Sequence, residues 1–140
     1  MIILDTNVIS EFTRPTVSER VESWLAAQDP LELATTTVTE AELLAGIELM
    51  PNGRRKNDIE RETVNFLNYL GPRVLPFDRD AAREYAAIVV MRRAARLKTD
   101  GADGQIAAIA RLHGASVATR NIADFEHSGI KLINPWATKS

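Results

Sequence analysis

Apolar positions along the chain alternate between short unbroken runs and longer stretches with helical spacing. Ile2-Ile3-Leu4 has no polar member, the pattern of a strand buried on both faces of a sheet. Residues 6 to about 12 predict a short helix that stops before Pro15. Ser18 is a fitting N-cap for a helix to about residue 28, with Val21, Trp24 and Leu25 on one face, and Asp29-Pro30 breaks it. Residues 31–36 predict a second strand, and Thr37 or Thr39 then caps a helix ending at Met50, before Pro51. A basic turn at residues 52–57 leads into a helix over about 58–70, with Ile59, Val64, Phe66, Leu67 and Leu70 for burial and Gly71-Pro72 as its stop. Val74-Leu75-Pro76 is a short strand. Asp78 or Asp80 caps a long helix to about residue 97, with Tyr85, Ile88, Val89 and Ala95 facing inward. A loop at 98–101 precedes a helix from about Ala102 to His113, stopped by Gly114. Residues 115–119 and 130–133 give two further strands, with a turn around Asp124 and Phe125. Short apolar strands alternating with helices predict an α/β fold with a mainly parallel sheet, in a single domain over residues 1–140.

Charge and composition narrow the function classes. A net charge of −2 argues against nucleic-acid binding driven by bulk charge and leaves only local basic groups. Two such groups stand out, Arg54-Arg55-Lys56 and the cluster Arg92, Arg93, Arg96 and Lys98. Each is weighed as a grip on RNA phosphates against an ordinary solvated surface. With no cysteine there is no disulfide, thiolate ligand or cysteine nucleophile. No apolar run approaches the roughly 20 residues that cross a bilayer. The start lacks the basic segment and apolar core of a signal peptide, so a cytoplasmic protein without a membrane partner is expected. His113 and His127 show no metal-ligand spacing and are expected to be structural or exposed.

The carboxylates carry the candidate chemistry. Asp5 ends the first strand, and in open α/β sheets ligands bind beyond the carboxyl ends of strands; an Asx turn opening the next helix is the competing role. Asp103 shares a helix face with Ile106, Ala107 and Ala110, where a carboxylate is costly unless it is paired, hydrogen-bonded or metal-bound. A first-turn acid favoured by the helix dipole is its alternative, although Asp100 is available for capping. Glu42 lies on a helix apolar on most sides, and periodicity does not choose between it, Glu40 and Glu48. Asn121 and Asp124 follow the strand at 115–119. If that strand neighbours the first, its carboxyl end lies beside Asp5; Asp124 serves equally well as a turn or cap residue. Three or four carboxylates brought together repel unless a cation neutralises them. A hard divalent ion with oxygen ligands fits, and such an ion activates water and stabilises charge on a phosphoryl oxygen. The reaction class suggested is phosphodiester hydrolysis.

The same stretches resemble the motifs of PIN-domain ribonucleases. Ile2-Ile3-Leu4-Asp5-Thr6-Asn7 is similar to the family's opening. Thr39-Glu40-Ala41-Glu42-Leu43-Leu44-Ala45-Gly46 is similar to its second motif, with Glu42 at the acidic position. Ala102-Asp103-Gly104-Gln105-Ile106-Ala107-Ala108 resembles the third, with Asp103 as the acid. Val117-Ala118-Thr119-Arg120-Asn121, followed by Asp124-Phe125, resembles the fourth, and Ile133-Asn134-Pro135-Trp136 the usual ending. The likeness covers essentially the whole chain and is to the VapC/FitB-type toxins of bacterial toxin–antitoxin pairs. It implies a three-layer α/β/α sandwich and Mg²⁺ or Mn²⁺ at the acidic cluster. It also implies endonucleolytic RNA cleavage, a homodimer, and neutralisation by a cognate antitoxin that occupies the groove and carries the assembly to operator DNA. Carried onto this chain, Asp5 and Asp103 bind the metal most directly and Glu42 completes the pocket or acts through water. Thr6 or Asn7 positions water or phosphate, against a capping role, and Arg120 contacts phosphate, against a surface ion pair. The family's fourth motif often has Asp where this chain has Asn121, so Asp124 is the expected source of a fourth carboxylate. Two other readings stay open. One is a PIN fold used only for binding, in transcriptional autoregulation with its partner. The other is a haloacid-dehalogenase-like phosphatase, which requires a second acid where Asn7 stands.

Overall fold

The computed structural model describes residues 1–137; the expected domain limit at residue 140 lies outside them. Among these residues five strands form one sheet: β1 (Ile2–Leu4), β2 (Leu33–Thr36), β3 (Val74–Leu75), β4 (Ser116–Ala118) and β5 (Leu132–Ile133). Their order is β3-β2-β1-β4-β5 and every pairing is parallel. The first strand is therefore the central one. Ile2 pairs with Leu33 on one side and Ser116 on the other, and Leu4 pairs with Ala118.

Alternation along β1 sends neighbouring side chains to opposite faces, so the sheet has two cores. Ile3 packs with Ala34, Leu75, Val117 and the inner sides of α5 (Arg79–Ala94) and α6 (Gly101–His113). Leu4 packs with Leu33, Ala118, Leu43 of α3 (Thr37–Glu48), and residues of α1 (Thr6–Glu11), α2 (Glu19–Ala26) and α4 (Arg54–Leu70). A short α7 (Ile122–Phe125) drives Phe125 into the first core. The result is the α/β/α sandwich expected, with a sheet parallel throughout. Among the described residues no helix is long and apolar enough to cross a membrane.

Several expected boundaries move, each for a local reason. The second strand begins at Leu33, because Pro30–Glu32 forms a 3-10 turn capped by Asp29 and leaves Leu31 exposed. Thr36, rather than Thr37 or Thr39, caps α3, its hydroxyl accepting the Thr39 N–H at 3.1 Å. Arg54-Arg55-Lys56 is the first turn of α4 and not a loop. The buried face of α4 runs through Thr63, Leu67 and Leu70, which turns Val64 outward. The last strand starts at Leu132 rather than residue 130.

The end of α5 differs too: the helix stops at Ala94 instead of about residue 97. Arg96 takes a left-handed φ of 61°, the Leu97 N–H bonds to the Arg92 carbonyl at 2.8 Å and the Arg96 N–H to the Arg93 carbonyl at 2.9 Å. These two bonds make a Schellman stop, a turn that usually takes glycine. Arg92, expected among the surface cations, is instead 4% exposed and belongs to the buried face with Ala81 and Ile88.

Candidate active site

The β1 ladder delivers Asp5 to the carboxyl edge of the sheet, where its N–H bonds to the Ala118 carbonyl at 2.9 Å. Asp5 is buried at 3% exposure. Its Oδ1 accepts the Thr6 N–H at 2.8 Å and so caps α1. Its Oδ2 accepts the Thr119 hydroxyl at 2.7 Å and the Asn7 amide at 3.2 Å. The capping role and the place at the ligand edge therefore belong to one side chain. Burial pushes the Asp5 carboxyl above its ordinary pKa; the bonds from Thr119, Thr6 and Asn7 pull it back in part, and the Glu42 charge adds to the rise.

Glu42 reaches the same edge from α3. The Thr6 hydroxyl donates to Glu42 Oε1 at 2.7 Å and is hydrogen-bonded to the Thr39 hydroxyl at 3.1 Å. This contact selects Glu42 from the three acids on its helix. Asp103 enters from the first turn of α6. Asp100 caps that helix, accepting the Ala102 and Asp103 N–H groups at 3.1 and 3.4 Å. Asp103 is thereby free of the capping duty. Its carboxyl is pushed from an ordinary value near 3.8 up to about 7, first by burial and then by the charges of Asp5, Asp100, Asp124 and Glu42. The fold thus brings Asp5, Glu42, Asp100 and Asp124 within electrostatic reach of Asp103.

The remaining expected residues divide. Asn7 spans the ends of β1 and β4: its amide donates to Asp5 and its Oδ1 accepts the Arg120 N–H at 3.3 Å. Thr6 is committed to Glu42. Both therefore orient carboxylates. Arg120 makes no ion pair among the described residues; its guanidinium lies 5.0 Å over the Trp136 ring. Asn121 stands exposed before α7 with no side-chain capping bond, and its N–H donates to the Thr119 hydroxyl at 3.0 Å. Asp124 is exposed on α7 and shares a cleft of about 430 Å³ with Asp100, Lys98 and Arg92. His113 and His127 are exposed, as expected.

Thr119 is the residue that sequence reasoning missed. It is wholly buried and hydrogen-bonded to Asp5, Asn7 and Asn121. The available signal was positional: a hydroxyl directly after an apolar strand that pairs with the strand ending in Asp5.

The donor set consists of carboxylate and hydroxyl oxygens, the chemistry of Mg²⁺ or Mn²⁺ rather than of softer metals. Among the described residues no three acids or imidazoles form a ready-made cage. Both Asp5 and Asp103 are raised first by burial; Glu42 adds to the rise at Asp5, and Asp5, Asp100, Asp124 and Glu42 add to it at Asp103.

The PIN domain profile matches residues 2–129. The chain belongs to the PIN domain family. Among curated relatives, it is 44% identical over 137 residues to plasmid stability protein StbB of Pseudomonas syringae pv. tomato, covering 97% of this chain and 99% of the relative. It is 43% identical over 140 residues to VapC ribonuclease Y4jK of Sinorhizobium fredii (97% and 98%). It is 40% identical over 137 residues to toxin FitB of Neisseria gonorrhoeae (97% and 99%). Among solved structures, FitAB bound to an IR36 DNA fragment superposes with a TM-score of 0.95 at 37% identity, covering 100% of this chain and 99% of that one. The five-stranded parallel sheet is thus a PIN fold, and the acidic edge of β1 lies within the matched region of this PIN domain.

Proposed function

We propose that this PIN domain is a divalent-metal-dependent endoribonuclease, acting as the toxin of a toxin–antitoxin pair. The observation that carries the reading is the convergence of Asp5, Glu42 and Asp103 on one sheet edge, with Asp103 raised to about 7 by burial and by its acidic neighbours. Relatives named as a VapC ribonuclease and as toxin FitB support it.

In this reading Asp5 and Asp103 hold the ion directly and Glu42 acts beside them, through water. When bound, Mg²⁺ or Mn²⁺ activates water and offsets charge on the phosphoryl oxygens. The protein's own part is orientation. Thr119 and Asn7 lock the rotamer of Asp5, and Thr6 aims Glu42. Asp124 supplies a further carboxylate at the far wall in place of Asn121. Arg120, held by stacking on Trp136, is placed to meet a substrate phosphate. The partners are RNA as substrate, a cognate antitoxin that blocks the groove, operator DNA reached through that antitoxin, and a second copy of the chain. Exposed Leu44 on α3 and Leu49 directly after it support the last of these. An RNA-cleaving toxin of this kind acts in the cytoplasm.

The test is incubation of purified, antitoxin-free protein with total RNA and Mg²⁺ or Mn²⁺. Cleavage is expected with metal and lost with chelator, and Asp5→Ala and Asp103→Ala should each lower it by about two orders of magnitude or more. Cleavage by either variant at the parent rate sinks the reading.

A further inference from the structure

Arg92 makes an unusual set of contacts. It lies in the last turn of α5 and is 4% exposed. Among the described residues no carboxylate pairs with it. Its guanidinium spans two backbone carbonyls from separate parts of the chain. Nε and Nη2 donate to the Lys98 carbonyl at 3.3 and 2.8 Å, and Nη1 donates to the Glu126 carbonyl. Lys98 lies two residues before Asp100, the cap of the helix that carries Asp103. Glu126 closes α7, two residues after Asp124. The Schellman turn at Ala95-Arg96-Leu97 is what folds the Lys98 carbonyl back over the guanidinium.

The segment leading into α6 and the end of α7 thus meet at one planar cation. Asp100 stands on one wall and Asp124 on the other, and Arg92 lines the same cleft of about 430 Å³. A guanidinium is rigid and permanently charged, so it fixes the separation of two acceptors as a flexible ammonium cannot.

We propose that Arg92 is a positioning residue, a strut that sets the spacing between the α6 wall bearing Asp103 and the α7 wall bearing Asp124, and so tunes the affinity of the site at Asp5 and Asp103 for a divalent cation. The inference rests on the metal-dependent reading above and assigns Arg92 no contact with RNA.

The test uses the full-length, antitoxin-free chain with Mn²⁺ alone as probe, read by electron paramagnetic resonance, beside thermal melting in chelator. Arg92→Lys keeps the charge but cannot span both carbonyls. It should bind Mn²⁺ about tenfold more weakly, the scale on which outer-shell supports act. Arg93→Lys, exposed in the same turn, should bind like the parent. In an Asp124→Asn background, Arg92→Lys should cost little more, because the wall it positions no longer carries a charge. At saturating Mn²⁺ the kcat on RNA should return to the parent value, with the loss confined to the metal requirement. If Arg92→Lys melts lower but binds Mn²⁺ like the parent, Arg92 is merely structural and the inference fails. If the parent itself binds no Mn²⁺, the metal-dependent reading fails and takes the inference with it. Binding by the parent that Asp103→Ala abolishes and Arg92→Lys leaves intact overturns Arg92 alone. Should Arg92→Lys not fold, the Arg92 Nε–H resonance of the parent decides. It must shift when Mg²⁺ is added, and a signal that stays put while Asp103 responds overturns the strut.

Discussion

Asp5 is held by more hydrogen bonds than any other acid of the cluster, and the least replaceable of them comes from Thr119. The hydroxyl is buried, donates to Oδ2 at 2.7 Å and accepts the Asn121 N–H at 3.0 Å. Thr119→Val keeps the shape and removes these bonds together with the longer one from the Asn7 amide. It leaves a buried carboxylate oxygen and an amide short of partners, which costs about 1–3 kcal/mol of stability. The Asp5 carboxyl should also rise further, since the bond that most lowers it is gone. The expected outcome is a lower melting temperature together with weaker Mn²⁺ binding at neutral pH. Thr119→Ser restores the hydroxyl and should recover most of both. A Thr119→Val protein that binds Mn²⁺ as the parent does would remove Thr119 from the site and leave it a core residue.

At the scale of elements, α6 is placed by a close approach that one glycine permits. A Cβ on Gly104 would sit 2.5 Å from Thr99 Cγ2 and 2.7 Å from Tyr85 Cε2, so alanine there must displace the α5–α6 contact. Gly104→Ala should destabilise by about 1–3 kcal/mol, the usual cost of overpacking, and move Asp103 with the helix. Pairing it with Thr99→Ala should recover part of the melting temperature; no recovery would place the strain elsewhere. The end of α5 gives the opposite prediction. Arg96 occupies a left-handed φ of 61° where glycine is at ease, so Arg96→Gly should stabilise by up to about 1 kcal/mol in thermal melts. These two sites also show what sequence patterning reads and what it does not. Apolar runs and stop residues located the strands and α6, including the glycine stop at Gly114, because those signals are local. The α5 stop carries no glycine or proline, so periodicity ran on to residue 97 and left Arg92 among the surface cations. Asp5 and Asp103 were legible as acids placed where acids are costly. Periodicity did not separate Glu42 from Glu40 and Glu48, and only the motif resemblance pointed to it, because its place depends on Thr6, 36 residues away. Thr119 escaped for the same reason: its role is a contact across 114 residues.

For the whole molecule, the parallel order β3-β2-β1-β4-β5 gathers every strand's carboxyl end on one edge, and the acids arrive there from β1, α3, α6 and α7. The fold therefore works against its own charge, and stability should report it. Asp103 titrates near 7 when folded against an ordinary value near 3.8, and Asp5 shifts in the same direction. Between those values the folded chain binds more protons than the unfolded one, so this contribution to stability is complete below about pH 4 and is lost as pH rises toward 7. In chelator, the difference in melting temperature between Asp103→Asn and the parent should consequently grow in favour of the variant from pH 4 to 7, then level off. Added Mg²⁺ should reverse the ranking at pH 8, where the carboxylates are ionised and a cation bound to the folded state stabilises it by mass action. At pH 5 it should do little. A difference between the two proteins that stays flat across this range in chelator would mean that Asp103 is solvated and uncoupled from its neighbours. A flat difference together with Mg²⁺ stabilisation at both pH values would place the ion away from Asp103 altogether.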